Sequence, residues 1–445
     1  MMEKKKSFEL KTTHIIALGF VILIFVGSIL LSLPFAAADG QRTPYIDALF
    51  TATTSSCVTG LVTVVTGEHW SFFGQVVILI MIQLGGLGVV SFTTLLLIIA
   101  GKRIQLKQRM LIQEAYGFDT LTGLVRMVKK MIKGSLIVEG IGAVLYTFIF
   151  IPRYGLLKGI WVSVFTSISA FCNAGMDLMG ANSMMDYVDH PLMNLITMGL
   201  IVIGGLGFFV WRDLVVTRFH FKKCKLHTKI VLTTSIILII AGAVIIFLME
   251  FGETGTQGKS IPEQLLNAMF QSVTARTAGF NTVDLSKLTE GSIFMMIMLM
   301  LVGGSPGSTA GGMKTTTIAV LTISIISIFR RKKSEEAFGR RMEEGVMRTA
   351  ACVFMIYLLL INFSAMLISK LENVTMMTAL FETTSALGTV GLTLGITPQL
   401  GMFSKMLLAV LMFVGRVGSL TILMAFSSPK KMVASKLPLE KVQIG

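Results

Sequence analysis

The segment LFETTSALGTVG, residues 380–391, decides the fold because the chain contains four related copies of it. The other copies are LFTATTSSCVTG at 49–60, VFTSISAFCNAG at 164–175 and MFQSVTARTAG at 269–279. Each runs from a Phe through small and hydroxyl residues to a Gly, and the third copy is one residue shorter. The final glycines recur about once per quarter of the chain, so the sequence predicts four repeats of one structural unit.

Long apolar runs flank each copy. They occupy about 13–33 and 72–99 in the first unit, 134–151 and 192–217 in the second, 229–251 and 291–328 in the third, and 347–369 and 403–427 in the fourth. About 20 apolar residues cross a bilayer as a helix. Only 14% of the residues are charged, against about 25% in soluble proteins. The sequence therefore predicts an all-α integral membrane protein, with four parallel helix–pore-loop–helix repeats around a central ion pore, as in potassium channels.

The repeats divide the chain into four units and a tail. We place repeat 1 at 1–100 with its filter loop near 50–61, repeat 2 at 101–218 with its loop near 165–176, repeat 3 at 219–330 with its loop near 270–280, and repeat 4 at 331–427 with its loop near 381–392. Residues 428–445 are predicted to be a cytoplasmic C-terminal tail.

Basic residues lie mainly on one side of the predicted membrane. Segments 1–13, 100–134, 211–230, 329–348 and 428–445 hold most of the Lys and Arg but fewer than half of the Asp and Glu. An excess of Lys and Arg marks cytoplasmic connections, so both termini are predicted to be cytoplasmic. The apolar run 15–35 is too long for a signal peptide and lacks a cleavage pattern, which predicts a retained helix.

The four hydroxyl-rich segments fall on the opposite, external side. About 10 residues are too few to span a bilayer, so each segment is predicted to be a re-entrant pore helix followed by an extended return strand. Irregular backbone at membrane depth is tolerated only where it is buried in protein or lines a watery path. Four return strands around one axis can offer a ring of backbone carbonyls that replaces the water shell of a cation.

The predicted filter consists of the last three residues of each copy. They are Val58, Thr59, Gly60, Asn173, Ala174, Gly175, Thr277, Ala278, Gly279, Thr389, Val390 and Gly391. Glycine permits the backbone angles that inward-facing carbonyls need, and the C-terminal end of each pore helix adds partial negative charge. Since no residue in the filter is acidic, we predict a monovalent cation held by backbone oxygens alone. Simple helix packing by small residues is the alternative, which the fourfold repetition disfavours.

A glycine-rich stretch interrupts the third inner helix at mid-membrane. It comprises Gly303, Gly304, Ser305, Pro306, Gly307, Ser308, Thr309, Ala310, Gly311 and Gly312. Gly and Pro cost a helix about 1 and 3 kcal/mol per residue, so this stretch is predicted to be a loop beneath the filter. Arg416, deep in the fourth inner helix, needs a partner or a water path. We predict that the loop is a gate and that Arg416 donates to its carbonyls; a purely structural tie is the alternative.

The other intramembrane charges are Glu139 and Glu382. Glu382 lies in the fourth pore helix and is predicted to accept hydrogen bonds behind the filter rather than to touch the ion. Proton relays need a chain of titratable groups, and the sequence shows none.

Other kinds of site have little support. Four cysteines (Cys57, Cys172, Cys224 and Cys352) and the histidines show no metal or redox spacing. Residues 307–315 resemble a phosphate-binding loop, but Met313 interrupts the motif and no strand precedes it. An enzyme would need a nucleophile–base pair or a metal cluster, an inverted-repeat transporter would need units of opposite orientation, and a scaffold would need no filter. We therefore predict no catalytic residue, no resident cofactor and no nucleic-acid partner.

With these loops, the broken helix and Arg416, the whole chain resembles the superfamily of potassium transporters that includes Trk, Ktr and HKT. More specifically, it resembles the KtrB-type membrane subunit of bacterial Ktr potassium uptake systems. In that superfamily, glycine at the filter position of every unit accompanies potassium selectivity. The resemblance implies the same role for Gly60, Gly175, Gly279 and Gly391.

The resemblance also implies partners and a location. It implies a homodimer in a bacterial plasma membrane, regulated by a separate cytosolic nucleotide-binding ring of the KtrA/KtrC type. We expect this ring to contact the basic loops near Lys102–Arg109, Lys222–Lys229 and Arg330–Arg341, which can also meet anionic membrane lipids. The implied function is potassium uptake, with sodium left open as an activating or coupling ion. The alternative is a sodium-coupled cation transporter of less strict selectivity.

Overall fold

The computed structural model describes residues 12–88, 91, 94, 110, 113, 123–253, 260–332, 334–418 and 440. These residues form four units, each with an outer, a pore and an inner helix. The outer helices are Thr12–Leu31, Leu124–Tyr154, Leu226–Glu250 and Val346–Glu372. The pore helices are Tyr45–Cys57, Leu156–Cys172, Ile261–Thr274 and Met376–Gly388.

The inner helices differ in continuity. Inner helices 1 and 4 are Phe72–Leu87 and Met402–Val417. Inner helix 2 is split into Pro191–Gly205 and Phe208–Val216, and inner helix 3 into Glu290–Leu301 and Thr315–Phe329. Short helices lie in the connections at Pro34–Ala36, Thr66–His69, Met185–Tyr187, Phe221–Lys223, Leu285–Lys287 and Thr397–Gln399.

A small hairpin joins units 3 and 4. Its strands, Glu336–Ala337 and Arg340–Arg341, are antiparallel, with Glu336 opposite Arg341 and Ala337 opposite Arg340. Lys332 Nζ lies 2.9 Å from a carboxylate oxygen of Glu336. The hairpin therefore presents a mixed-charge surface in the predicted cytoplasmic connection.

The outer helices show why the chain needs a membrane. Each is long and apolar enough to cross a bilayer. Their large apolar side chains remain exposed to the surroundings, including Phe25 (56%), Phe148 (71%), Leu248 (64%) and Leu359 (65%). Such continuous apolar exposure suits lipid rather than water.

The pore helices are buried although they are rich in Ser and Thr. Some of their hydroxyls are satisfied locally: Thr53 Oγ1 donates to Leu49 O and Ser55 Oγ donates to Thr51 O, at 2.8 and 2.7 Å. This back-bonding to the preceding turn lets small polar residues be buried at low cost. Pore helix 3 instead begins with a capping box, in which Ser260 and Glu263 satisfy each other's backbone N–H groups.

The units pack in a closed cycle. Inner helix 1 packs on pore helix 2, inner helix 2 on pore helix 3, inner helix 3 on pore helix 4, and inner helix 4 on pore helix 1. The last contact includes an ion pair of 2.9 Å between Lys405 Nζ and Asp47 Oδ1. The fold is thus all-α, with four helix–pore-loop–helix repeats around one axis, as predicted.

The prediction of a continuous second inner helix at 192–217 is wrong. The chain turns by 92° between Gly205 and Phe208, where Gly207 has φ +90°. Outer helix 2 is also longer than the predicted 134–151 and includes Pro152 near its end. Apart from residues 91 and 94, the predicted helical segment beyond Gly88 lies outside the described residues. So do the segment beyond Gly418 and, except for residue 440, the C-terminal tail.

Candidate functional site: a glycine ring and the loop beneath it

The four return strands share one unusual backbone conformation. The final glycines all have positive φ: Gly60 +100°, Gly175 +63°, Gly279 +81° and Gly391 +93°. So do the residues two positions earlier, none of which is glycine: Val58 +49°, Asn173 +58°, Thr277 +76° and Thr389 +52°. In an ordinary strand successive peptides face opposite sides. Reversing the sign of φ at every second residue turns successive carbonyls toward one side, and such conformations persist only where the surroundings impose them.

The four final glycines, which we call the glycine ring, lie against one another in cyclic order. A Cβ at Gly60 would lie 2.6 Å from Ala174 O, one at Gly175 2.5 Å from Ala278 O, one at Gly279 2.5 Å from Val390 O, and one at Gly391 2.2 Å from Thr59 O. Each distance is far below a normal contact, so no side chain fits at any of the four positions. The structure therefore brings all twelve predicted filter residues together around one axis.

Side chains behind the ring fix the strands. Gly60 N donates to Thr54 Oγ1 at 2.9 Å, and Gly391 N donates to Ser385 Oγ at 3.1 Å. In unit 2, Ser169 Oγ accepts from Met176 N at 3.0 Å. These hydroxyls stand six residues before the ring glycine, so the hydroxyl-rich sequence of the pore helix supplies the support of its own strand.

Glu382 stabilises the chain beyond strand 4 and is fully buried. Its carboxylate accepts from Thr393 Oγ1, Leu394 N and Thr397 Oγ1, at 2.5, 3.0 and 2.8 Å. These partners occupy both oxygens, in agreement with the predicted role behind the filter. Glu139 similarly accepts from Gln83 Nε2 at 3.1 Å on inner helix 1. Both charges therefore tie neighbouring segments together, and the ring itself is neutral.

Residues 302–314, which we call the inner loop, form a compact turn within the third inner helix. The chain returns beside its own start, since Gly303 N donates to Met313 O at 2.8 Å and Thr315 N donates to Gly304 O at 3.1 Å. Gly307 and Gly312 have positive φ, at +67° each. The predicted interruption of this helix is thus present, and its two ends are closed by backbone hydrogen bonds.

The inner loop lies against the helix-end side of the ring. Asn173 Nδ2 donates to Thr309 Oγ1 at 3.1 Å. A Cβ at Gly311 would lie 2.2 Å from Thr389 Oγ1, and one at Gly303 would lie 3.2 Å from Thr277 Cγ2. Asn173, Thr277 and Thr389 each stand two residues before a ring glycine. The loop therefore contacts three of the four strands at the inner end of the ring.

Breaks in the neighbouring inner helices hold the loop. At the break of inner helix 2, Ser305 N donates to Gly205 O at 3.0 Å, and Phe208 N donates to Gly307 O at 2.9 Å. On the opposite side Gly312 N donates to Gly415 O at 3.2 Å. Carbonyls and N–H groups freed by the glycine breaks thus become the loop's partners.

Arg416 joins three units beneath the ring. Its guanidinium donates to Thr309 O of the inner loop, and also to Gly85 O and Gly86 O at the end of inner helix 1, at 2.5 and 2.8 Å. Arg416 therefore contacts one carbonyl of the inner loop, and two carbonyls of inner helix 1 as well. An arginine has five donors in a fixed fork, which suits this bridge.

Sequence reasoning missed two basic residues at this site. Lys314 Nζ donates to Ala310 O and Gly311 O, at 2.8 and 3.3 Å, and so places a second basic side chain at the inner loop. Arg276, beside the third ring strand, donates to Ser235 O and Ser235 Oγ, both at 3.3 Å. The sequence could have indicated both residues, because each is basic and lies within a segment predicted to be at membrane depth.

A repeated break of the inner helices was also missed from the sequence. Gly88 and Gly418 cap the ends of inner helices 1 and 4, and Gly207 lies in the break of inner helix 2; their φ angles are +84°, +97° and +90°. Three residues before each, a glycine packs on the end of a pore helix. A Cβ at Gly85 would lie 1.9 Å from Ser56 O, one at Gly204 2.0 Å from Phe171 O, and one at Gly415 2.0 Å from Leu387 O. The recurring motif is Gly-x-x-Gly, at 85–88, 204–207 and 415–418.

Among the described residues, no three His, Cys, Asp or Glu side chains come together in a group that could hold a metal ion. Cys57, Cys172 and Cys224 are buried free thiols, and Cys352 is an exposed one. The geometry therefore offers a ring of backbone oxygens above a loop that two basic side chains, Lys314 and Arg416, contact.

Comparison with known proteins gives consistent results. A family model described as "TrkH: Cation transport protein" matches residues 3–436. The potassium/sodium uptake protein NtpJ of Enterococcus hirae is 37% identical over 451 residues, covering 100% of both chains. The Ktr system potassium uptake protein B of Bacillus subtilis is 39% identical over 419 residues, covering 94% of this chain and 93% of that protein.

The fold has a counterpart among solved structures. The potassium transporter TrkH from Vibrio parahaemolyticus superposes with a TM-score of 0.76, covering 96% of this chain and 87% of that one. Sequence identity in that superposition is 19%, so this likeness bears on the architecture alone.

Proposed function

Because the chain belongs to the TrkH family of cation transport proteins, we propose that it takes up potassium through the glycine ring. The observation that carries the proposal is the cyclic contact of four positive-φ glycines, each against a carbonyl of the next strand. Carbonyl rings of this kind replace the hydration shell of a monovalent cation. Two homologues are named for potassium uptake, and one of them for sodium as well.

We propose further that the inner loop is the gate. It contacts three ring strands from below, and Lys314 and Arg416 place two cationic side chains in it. Ions leaving the ring inward would meet both a steric obstacle and an electrostatic one. The loop is held by hydrogen bonds to two broken inner helices, so a shift of those helices would release it without disturbing the ring.

The regulation, assembly and orientation belong to the same proposal. One homologue is named as potassium uptake protein B of a Ktr system. We propose a homodimer in the plasma membrane of a bacterium, with both termini and the basic connections cytoplasmic and a KtrA/KtrC-type nucleotide-binding ring docked on them. The division into units at 1–100, 101–218, 219–330 and 331–427 is part of this proposal.

The test is ion flux into proteoliposomes that contain the purified full-length chain. We expect potassium uptake to exceed sodium uptake in the wild type. Gly60→Ser should narrow the ratio, because its Cβ would press on Ala174 O at 2.6 Å and distort the first strand. Gly40→Ser is the matched control: it also has positive φ, but nothing lies within 4 Å of its Cβ.

Two results would count against the proposal. An unchanged ratio in folded Gly60→Ser protein would separate the ring from selectivity, and the absence of any cation flux would contradict transport itself. The second candidate function, sodium-coupled cation transport, predicts that potassium uptake stops when the sodium gradient is removed. Measuring flux with and without that gradient decides between the two.

A further inference from the structure

A cavity of about 320 Å³ with both apolar and polar walls lies behind the third pore helix, apart from the ring and the inner loop. Its walls come from outer helix 3, pore helix 3 and the chain that follows the third ring strand. The residues that matter to its chemistry are Glu250, Asn267, Gln271, Thr282, Asp284 and Lys287. The polar part of the lining therefore consists mainly of oxygen-bearing side chains, although nothing in the transport path requires them there.

Gln271 points to a ligand in this cavity. Only 2% of the residue is exposed, and its Nε2 donates to Thr282 Oγ1 at 3.2 Å, which in turn donates to Asn267 Oδ1 at 2.9 Å. Its Oε1 is buried and has no hydrogen-bond partner within the described part of the chain. Buried polar atoms are nearly always paired, so this oxygen indicates a missing donor or cation.

Two carboxyl groups belong to the polar part of the lining. Only 5% of Glu250 is exposed, and its Oε1 is oriented by Thr289 N and Thr289 Oγ1, at 3.0 and 2.8 Å. At the mouth, hydrogen bonding from Ser286 holds the pKa of Asp284 below its ordinary value, so this carboxylate is ionised, and Lys287 Nζ lies 3.3 Å from it. The lining thus brings the carboxyl groups of Glu250 and Asp284 to the same cavity as the buried oxygen of Gln271.

We propose that this cavity binds an alkali cation, sodium or potassium, with Gln271 Oε1 and the Glu250 carboxylate among the oxygens that face it. Carboxylate and carbonyl oxygens are the donors that hard cations prefer, whereas calcium sites usually gather more carboxylates. Gln271 and Asn267 belong to the third pore helix, and Thr282 follows the third ring strand closely. An ion bound in this cavity would therefore stabilise the pore loop of unit 3 from outside the ring.

The experiment measures the melting temperature of the purified full-length chain in detergent, during titration with sodium or potassium chloride. N-methylglucamine chloride keeps the ionic strength constant, and calcium chloride is a third arm. A ligand that binds only the folded state raises the melting temperature with its concentration. We expect Gln271→Leu and Glu250→Gln to weaken the apparent affinity for one alkali ion by about tenfold or more.

The variants distinguish ion binding in the cavity from ion binding in the ring. Only the part of the ion-dependent rise in melting temperature that the cavity variants lose is assigned to the cavity. Gln75→Leu is the matched control, since both ends of the Gln75 amide are paired, with Trp70 O and Trp161 Nε1 at 2.9 and 2.8 Å. It should lower the melting temperature without changing the ion dependence. Gln271→Glu should tighten alkali binding and covers the case in which Gln271→Leu fails to fold.

Three outcomes would overturn the inference. They are an unchanged ion dependence in Glu250→Gln and both Gln271 variants, stabilisation by calcium at lower concentration than by either alkali ion, and no stabilisation by any of the three salts. None of them depends on transport, so failure of the cation site is distinct from failure of the proposed uptake.

Discussion

The third unit and the other three units support the same ring strand in different ways. In units 1, 2 and 4 the pore helix continues to Cys57, Cys172 and Gly388, and an inner-helix glycine packs on its end. In unit 3 the pore helix stops at Thr274. The third copy of the segment is one residue shorter than the other three. Its pore helix ends earlier as a result, while its ring glycine keeps the same position in the ring.

A different set of contacts replaces the missing turn in unit 3. Thr274 Oγ1 donates to Phe280 O at 2.6 Å, beyond the ring glycine, and Arg276 ties the strand to Ser235 on outer helix 3. The inner loop also belongs to unit 3. The third ring strand is therefore anchored to outer helix 3, and under the proposed gating this anchor would hold the strand while the inner loop moves. Substitutions that remove each kind of contact test this difference between unit 3 and the other three units.

The largest effect is expected at the tight glycine contact of the regular units. Gly204→Ala places a Cβ 2.0 Å from Phe171 O, and overpacking a core costs about 1–3 kcal/mol or more. We expect loss of potassium uptake and a lower melting temperature. Gly199→Ala, in the same helix segment with nothing within 4 Å of its Cβ, should leave both unchanged. Equal behaviour of the two variants would show that the close contact is not required.

The next effect is expected at the inner loop. Arg416→Gln removes the charge and most of the contacts to Thr309 O, Gly85 O and Gly86 O. We expect faster potassium flux, by about tenfold if the barrier falls by about 1.4 kcal/mol, with the selectivity ratio unchanged. Deletion of 305–310 should act in the same direction and weaken dependence on the cytosolic partner.

Lys405→Gln provides the control for charge removal in the same helix, since Lys405 pairs with Asp47 at the other end. Its flux should stay at the wild-type level. A loss of flux in folded Arg416→Gln protein, or a changed selectivity at unchanged rate, would assign the loop to structure or to the filter instead of the gate.

A smaller effect is expected from the hydroxyl support of strand 1. Thr54→Val leaves the buried Gly60 N–H without its acceptor, which costs about 1–3 kcal/mol and should lower the potassium-over-sodium ratio. Val273, six residues before Gly279, already lacks a hydroxyl. Val273→Thr should therefore leave the ratio at the wild-type value. An equal decrease of the potassium-over-sodium ratio in Thr54→Val and Val273→Thr would show that unit 3 does not differ from the other units in this respect.

The smallest effect is expected at Arg276. A lysine keeps the charge but loses the fork that reaches both Ser235 O and Ser235 Oγ. Loss of one such hydrogen bond costs about 1 kcal/mol, measured as the free energy of unfolding in detergent. Arg276→Lys should therefore destabilise less than Thr54→Val does. The reverse order would make Arg276 the main support of its strand.

Most of the architecture could be predicted from the sequence because its signals are repeated. Four copies of a Phe-to-Gly segment, in phase with apolar runs, indicate the units, and the density of Gly and Pro at 303–312 is incompatible with a helix. The need of a buried guanidinium for acceptors indicated the partner of Arg416. In each case local chemistry and the tertiary structure agree.

The features that were missed are those where tertiary contacts override local preference. Val58, Thr277 and Thr389 are β-branched, and propensity alone argues against positive φ at them; the closed ring imposes it. The Gly-x-x-Gly breaks at 204–207 and 85–88 lie in apolar runs that are typical of continuous helices. Arg276 was interpreted only as part of a shorter copy, since nothing local indicates that it fills the space of a lost turn.

The cyclic order of the ring has a consequence for how the protein is made. Chains fold progressively from the N-terminus during synthesis, yet the first strand is completed by the last, because Gly391 lies against Thr59 O and Lys405 pairs with Asp47. Until residues 380–405 have left the ribosome, the polar backbone of the first pore loop faces an incomplete assembly inside the bilayer. Biogenesis therefore requires that the inner faces of the early units be kept hydrated or shielded. A chain truncated before residue 380 should be handled by the cell as an incompletely folded protein.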